Sequence, residues 1–276
     1  MLILALFSPQ VFAVKKILKC DNWDVILPLI ERLTPKSIVV LNIDDVILRP
    51  DDQILQSRYR ASMESLIQKL NMVPSDTSTE DLMGIQLQSR KSSLVDSKVL
   101  DVISILKDKG VNVIAISSDW ADNYRVIPSF ENWQVSELAS LGIDLSWVFP
   151  NTLPIIFNDY LAAIDGRFPS YRRGLLFTHS MSKGEVLEAF LNHINFKPDQ
   201  ILSVDILMNH INSVKSFCAR GDIEFTGVIY DAALTKPRPD LNMERAELQF
   251  NTLVKEKKWL SDSEAEVVLK QNAVSP

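Results

Sequence analysis

The chain has 276 residues, 46% hydrophobic and 23% charged, with a net charge of −6. That size suits one large domain, or one core with a smaller insertion, and leaves ample apolar surface to bury. The acidic balance argues against broad nucleic-acid binding, which needs a basic surface, and two cysteines, Cys20 and Cys218, are too few for a disulfide framework or a metal knuckle.

The elements follow in chain order. Leu2 to Phe7 is a short apolar run, broken by Ser8-Pro9-Gln10. Val11-Phe12-Ala13 then has the shape of a signal-peptidase site. The run is too short to span a bilayer and lacks a basic start. Residues 1–13 therefore read as a signal peptide, giving an exported, periplasmic or secreted protein. The alternative is an N-terminal core strand in a cytoplasmic protein. No other stretch approaches the ~20 apolar residues of a membrane helix, so no stable membrane span is expected.

Asp24 to Leu33 has helical apolar spacing and stops at Thr34-Pro35. Ser37 to Leu41 is a continuous β-rich apolar run, the signature of a strand covered on both faces. It delivers Asn42-Ile43-Asp44-Asp45. Residues 51–95 are polar and helical, looser around Pro74 to Ser78, and read as an insertion or cap. Ser97 to Lys109 is an amphipathic helix closed by Gly110. Val111 to Ile116 is a second buried strand, ending in Ser117-Ser118-Asp119. A long connection follows to about Arg173, with short strands near Pro154 to Asn158. Gly174 to Thr178 reads as another short strand. Lys183-Gly184 opens a helix over Glu185 to Ile194. Gln200 to Val204 is a strand delivering Asp205, and Glu224 to Tyr230 is the last core strand. A helix follows over about Met243 to Lys257, and Ser261 and Glu264 form a capping box.

Alternating helices and apolar strands imply an α/β fold with a doubly wound parallel sheet. Ligands of such sheets bind outside the carboxyl ends of the strands. Asn42, Ser117 and Asp205 all stand at such ends.

Four features recur in a fixed order: VVLNIDDV, VIAISS, Lys183 before a helix, and ILSVD. In this order they resemble the haloacid-dehalogenase (HAD) phosphohydrolase superfamily. Lys183 to Leu187, Ile201 to Asp205, Gly227 to Tyr230 and Trp259 to Ala265 are similar to one bacterial branch of it, a domain of unknown function whose members are often exported. The resemblance covers roughly residues 20 to 268. It implies a HAD-like, Rossmannoid domain over residues 14–268, with the 51–95 insertion as cap and a tail at 269–276.

The resemblance also implies roles. In the superfamily the first Asp attacks phosphorus and forms an aspartyl-phosphate. The second is the general acid/base. Ser/Thr and Lys hold the phosphoryl oxygens, and Mg²⁺ sits between the nucleophile, a backbone carbonyl at the second Asp and the last acidic residue. Carried onto this chain, the catalytic positions are Asn42, Asp44, Ser117 and Lys183, and the Mg²⁺ positions are Asn42, Asp44 and Asp205.

The chain departs from the pattern at Asn42, a neutral amide where the nucleophile stands, and at Ile206, where a second acid often follows. Asp119 is a softer departure. Sliding the register fails, because Val46 would then become the acid/base. Three readings stay open: a pseudophosphatase acting as a binding or effector protein, an active Mg²⁺-dependent phosphomonoesterase that bypasses Asn42, or a substitution peculiar to this sequence. An active protein would take a phosphorylated small molecule or phosphoprotein, and an inactive one a protein partner.

Other residues have blander readings. His179, His193 and His210 lack metal-ligand spacing, though His179 lies near Lys183. Asn209 follows Asp205 and is an auxiliary candidate. Trp120, Trp133 and Trp147 read as packing residues. No Gly-rich phosphate loop is present, which argues against ATP hydrolysis.

Overall fold

In a computed structural model, residues 15–71, 77–118, 126–158, 168–179, 181–235, 237 and 239–274 are described. The expected signal peptide and Asp119 and Trp120 lie outside them. β1 (Lys15–Cys20) leads through α1 (Leu27–Ile30) to β2 (Ser37–Asn42) and β3 (Leu48–Pro50). The helices α2 (Arg60–Asn71) and α3 (Thr79–Ser89) follow, then β4 (Ser92–Leu94), α4 (Lys98–Asp108) and β5 (Asn112–Ser117). α5 (Phe130–Ser140), β6 (Ile155–Ile156), β7 (Ser170–Arg172) and β8 (Leu175–Phe177) lead to α6 (Lys183–His193). The chain ends with β9 (Gln200–Asp205), α7 (Met208–Gly221), β10 (Glu224–Tyr230), α8 (Ala232–Thr235), α9 (Met243–Glu256) and α10 (Asp262–Val274).

The architecture is α/β, with a mostly parallel central sheet of eight strands flanked by helices. Its order is β1-β10-β9-β2-β5-β8-β7-β6, parallel from β1 to β8, with β7 and β6 antiparallel at one edge. β2 is buried along its whole length, as the unbroken apolar run implies. The two-residue period of a strand then divides that run. Val39 and Leu41 face one core with α4 and Phe130, whereas Ile38 and Val40 face a second core with α6 and α7.

The helix expected over Asp24 to Leu33 is broken. Pro28 falls inside the expected span, where it cannot continue a helix, and instead stands in the first turn of α1; only a 3₁₀ turn at Trp23–Val25 and the four residues of α1 form.

The insertion joins the sheet through the short ribbon of β3 and β4. Its helices do not stand alone. Leu66 of α2 and Leu82 of α3 share a third core with Ile54, Ala246, Phe250, Leu253 and Trp259. The C-terminal helices α9 and α10 are therefore part of the same helical unit as the insertion. Polar bonds fix the joint. Buried Asp52 accepts from Trp259 Nε1 and from the Asp262 amide, each at 2.8 Å. Asp262 in turn accepts from the Gln53 amide at 3.0 Å and pairs with Arg245 at 2.9 Å. The capping box forms as expected: the Ser261 amide donates to Glu264 and the Glu264 amide to Ser261. α10 runs on to Val274, through the stretch expected as a tail.

Candidate functional site

The strand order fixes where a site can lie. From β2 the chain builds outward to β5 and β8, then returns to the other side of β2 as β9 and β10. The order therefore reverses between β2 and β9, and a crevice opens at their carboxyl ends. Leu41 pairs with Val204. The next residue on each strand, Asn42 and Asp205, thus arrives at the crevice side by side.

Lys183, the first residue of α6, lies between them. Its Nζ donates to Asn42 Oδ1 and to Asp205 Oδ2, each at 2.6 Å. All three side chains are buried. α6 can come this close because Gly184 has no side chain: a Cβ there would lie 2.2 Å from the Ser213 carbonyl oxygen of α7.

Asn42 Nδ2 donates to the Asp44 carbonyl at 2.6 Å. This orientation of the amide is forced by its neighbours. An ammonium can only donate and a carbonyl can only accept, so Oδ1 must face Lys183 and Nδ2 must face Asp44. The turn beyond places Asp45 in the left-handed region (φ 62°), which Asp tolerates, and its amide donates to the Leu48 carbonyl at 2.7 Å.

Asp205 is held from three directions. Besides Lys183, its Oδ1 accepts from the Leu207 amide at 3.0 Å, and His210 Nδ1 lies 3.2 Å from both oxygens. Burial alone would push this carboxyl up. The Lys183 ammonium and His210 outweigh burial and hold it below the usual carboxylate range.

The structure thus brings Asn42, Lys183, Asp205 and the backbone of Asp44 together. The Asp44 side chain stands 3.9 Å from Arg90 Nη2. Ser117 ends β5, the strand beside β2, and is buried. Its carbonyl accepts from the Thr178 amide at 3.0 Å. Asn209, the auxiliary candidate, is exposed on α7.

Two groups near the site were not expected from the sequence. His210 carries no spacing signal as a metal ligand, yet it follows Asp205 by five residues at the start of a helix, close enough to return to the carboxylate. Arg90 makes a bidentate pair with Glu137 of α5, at 2.9 and 3.0 Å, and its guanidinium lies 5.0 Å from the Trp133 ring centre. Nothing in the linear order joins residues 90 and 137.

A divalent cation such as Mg²⁺ takes oxygen ligands. The arrangement offers it little. The amide presents a nitrogen donor to the Asp44 carbonyl, and the Asp205 oxygens already face an ammonium, a backbone amide and an imidazole. Among the described residues no group of three His, Cys, Asp or Glu side chains is placed to hold a metal.

A family profile described as a protein of unknown function (DUF2608) matches residues 19–266. An uncharacterised protein of Rickettsia prowazekii is 24% identical, over 87% of this chain and 86% of its own. One of Rickettsia bellii is 26% identical, over 70% of this chain and 68% of its own. A protein of Chlamydia pneumoniae that carries a provisional outer-membrane name is 25% identical over 72% of each chain. No solved structure matches the chain. No helix among the described residues is long and apolar enough to cross a membrane.

Proposed function

The chain belongs to the DUF2608 family of proteins of unknown function, and from that premise we propose that it is a HAD-type phosphohydrolase fold whose catalysis is silenced and whose role is binding. One observation carries this reading: Asn42 bridges the Lys183 ammonium and the Asp44 carbonyl. In a HAD enzyme this position supplies the attacking carboxylate. An amide oxygen is neutral and is a poor nucleophile toward phosphorus. Here it also accepts from Lys183, which draws its electrons away from any incoming phosphoryl group.

The same bridge removes the demand for Mg²⁺. An aspartate at position 42 would set one carboxylate oxygen against the Asp44 carbonyl, two acceptors that a bound cation would reconcile. Asn42 supplies the missing donor itself. Asp44, the acid/base position, stands with its carboxylate 3.9 Å from Arg90 Nη2. An exported protein, the reading of residues 1–13, fits the name of the chlamydial relative.

The test is hydrolysis of para-nitrophenyl phosphate with Mg²⁺ by the wild type beside Asn42→Asp. The reading expects turnover only in the variant. Equal turnover in the wild type, abolished by Asp44→Ala, would instead establish an active phosphomonoesterase.

A further inference from the structure

The central sheet ends at β6, whose outer side pairs with no strand among the described residues. β6 is antiparallel to β7, with Ile155 opposite Tyr171 and Ile156 opposite Ser170. The Phe157 amide donates to the Pro169 carbonyl at 2.9 Å, so 157 with 169 and 155 with 171 are the bonded pairs. In an antiparallel ladder, bonded pairs alternate with pairs whose backbone groups point away from the partner strand. The N–H and C=O of Ile156 therefore point to the free edge, flanked by the Pro154 carbonyl and the Asn158 amide. Unpaired groups of this kind are a template for another strand, and charged side chains usually blunt them. Residues 153–158 carry no charge. Ile156 is 65% exposed and Leu153 is 79% exposed.

Two hollows follow this edge. The first, of about 330 Å³, is lined by residues 155–158 and by Ala189, Asn192 and His193 of α6. Ile155 and Phe157 belong to the core on the α6 side of the sheet. Consecutive side chains of a strand point to opposite faces, so a hollow that touches all four residues opens along the edge itself. Residues 189, 192 and 193 share one face of α6. The second hollow, of about 310 Å³, begins where the first stops: Leu153, Pro154, Arg172 and Arg173 line it. The β6–β7 register sets Pro154 opposite Arg172, on the sheet face that Ile156 shares. Arg173 lends part of its charge to Asp144. Arg172 makes no hydrogen bond or ion pair among the described residues. The edge is therefore apolar along its length and basic at its Pro154 end.

We propose that β6 is a docking edge for an extended peptide of a partner protein, which adds antiparallel as a ninth strand with its acidic residues at Arg172 and Arg173. In strand addition the main chain supplies affinity and alternate side chains supply specificity. The peptide residue opposite Ile156 exchanges two backbone bonds with it. Its two neighbours, opposite Ile155 and Phe157, turn toward α6 and call for apolar side chains that fill the first hollow. The residue opposite Pro154 returns to the Arg172 face and calls for a carboxylate. β6 stands four strands from β2, about 19 Å at the usual ~4.8 Å strand spacing, so this docking stands whether or not Asn42→Asp gains phosphatase turnover.

The experiment is fluorescence anisotropy of a labelled, end-blocked peptide, Ser-Val-Thr-Val-Glu-Glu, titrated with the full chain. Its threonine falls opposite Ile156 and its glutamates fall at the arginines. The expected result is saturable binding of one peptide per chain. Replacing both glutamates by lysine should weaken binding about tenfold, and Arg172→Gln about fivefold. Methylating the threonine amide nitrogen removes a backbone donor without altering the protein, and should abolish binding. Ile156→Pro removes the outward N–H while leaving the bonds to β7, and should do the same. The proposal is overturned if the glutamate peptide does not bind, if the methylated or the lysine peptide binds as well, or if Arg172→Gln leaves the Kd unchanged. Sedimentation of the chain alone gives a further outcome: a dimer that Ile156→Pro splits would make a second copy the occupant of the edge and overturn the acidic partner.

Discussion

Replacing Lys183 by methionine keeps most of the volume of a buried side chain and removes its charge. The Lys183 side chain is 2% exposed and that of its partner Asp205 is 4% exposed. Taking one partner from a buried ion pair typically costs about 3–5 kcal/mol, because the other charge stays behind. Asp205 keeps the Leu207 amide and His210, so the lower figure applies, about 3 kcal/mol. For a chain of this size each kcal/mol lowers Tm by roughly 2–4 °C, which gives a fall of about 6–12 °C. The pH dependence gives a sharper test. In the wild type Asp205 titrates below the usual range. Its stabilisation is present above the unfolded carboxylate value of about 3.9 and is lost as pH falls through the lowered folded value. In the variant burial acts without the ammonium, so the carboxyl titrates higher and can discharge itself in mild acid. The deficit should therefore be largest near neutral pH and shrink toward pH 4. Urea unfolding followed by circular dichroism at several pH values measures both. Adding Asp205→Asn to Lys183→Met should recover part of the loss. A deficit under about 1 kcal/mol at neutral pH, or one that grows in acid, would refute the reasoning.

Two other substitutions probe the scaffold. Gly184→Ala puts a Cβ against the Ser213 backbone and must push α6 from α7; overpacking of this kind costs about 1–3 kcal/mol, and the same unfolding assay should show it, with Ala tolerated only if the two helices do not approach as described. Asp52→Asn turns one of two acceptors into a donor facing the Trp259 indole or the Asp262 amide, at a cost of about 1–3 kcal/mol. Burial holds the Asp52 carboxyl above its usual value despite those hydrogen bonds. Its own contribution is thus greatest below the unfolded carboxylate value and is lost as pH rises through the folded one. The deficit of Asp52→Asn should narrow as pH rises, and faster hydrogen exchange should appear in α9 and α10. A deficit that widens with pH would count against the buried joint.

The parallel sheet was legible because its strands are apolar without interruption. Ser37–Leu41, Val111–Ile116 and Gln200–Val204 each carry the length and β-rich composition of a strand covered on both faces, and each forms as expected. The candidate site was legible for the same reason: Asn42, Ser117 and Asp205 follow directly from strand ends. Several elements were not read out, and three of them show why. α5 mixes its apolar residues with Gln134, which is buried, so its helical stripe is blurred, although Ser129 caps it. α7 has a regular stripe at Ile211, Val214 and Phe217, but it begins directly after Asp205, where Asn209 was read only as an auxiliary site candidate. β1 stood next to a run that reads as a leader. The joining of α9 and α10 to the insertion was hidden altogether, because a contact between Asp52 and Trp259 spans about two hundred residues and leaves no periodic trace. The orientation of the Asn42 amide belongs to the same class, since it depends on Lys183 arriving from a distant helix.

The most direct test of the account is the Mg²⁺ dependence of thermal unfolding in the wild type and in Asn42→Asp. If Asn42 closes the site on itself, Mg²⁺ leaves the wild-type Tm unchanged. The variant, with a carboxylate set against the Asp44 carbonyl, melts lower without the ion and regains stability as Mg²⁺ is added, with a concentration dependence that reports a bound cation. A wild type stabilised by Mg²⁺ as strongly as the variant would contradict the account, because the bridge from Lys183 through Asn42 to Asp44 would then not be the state that the protein keeps.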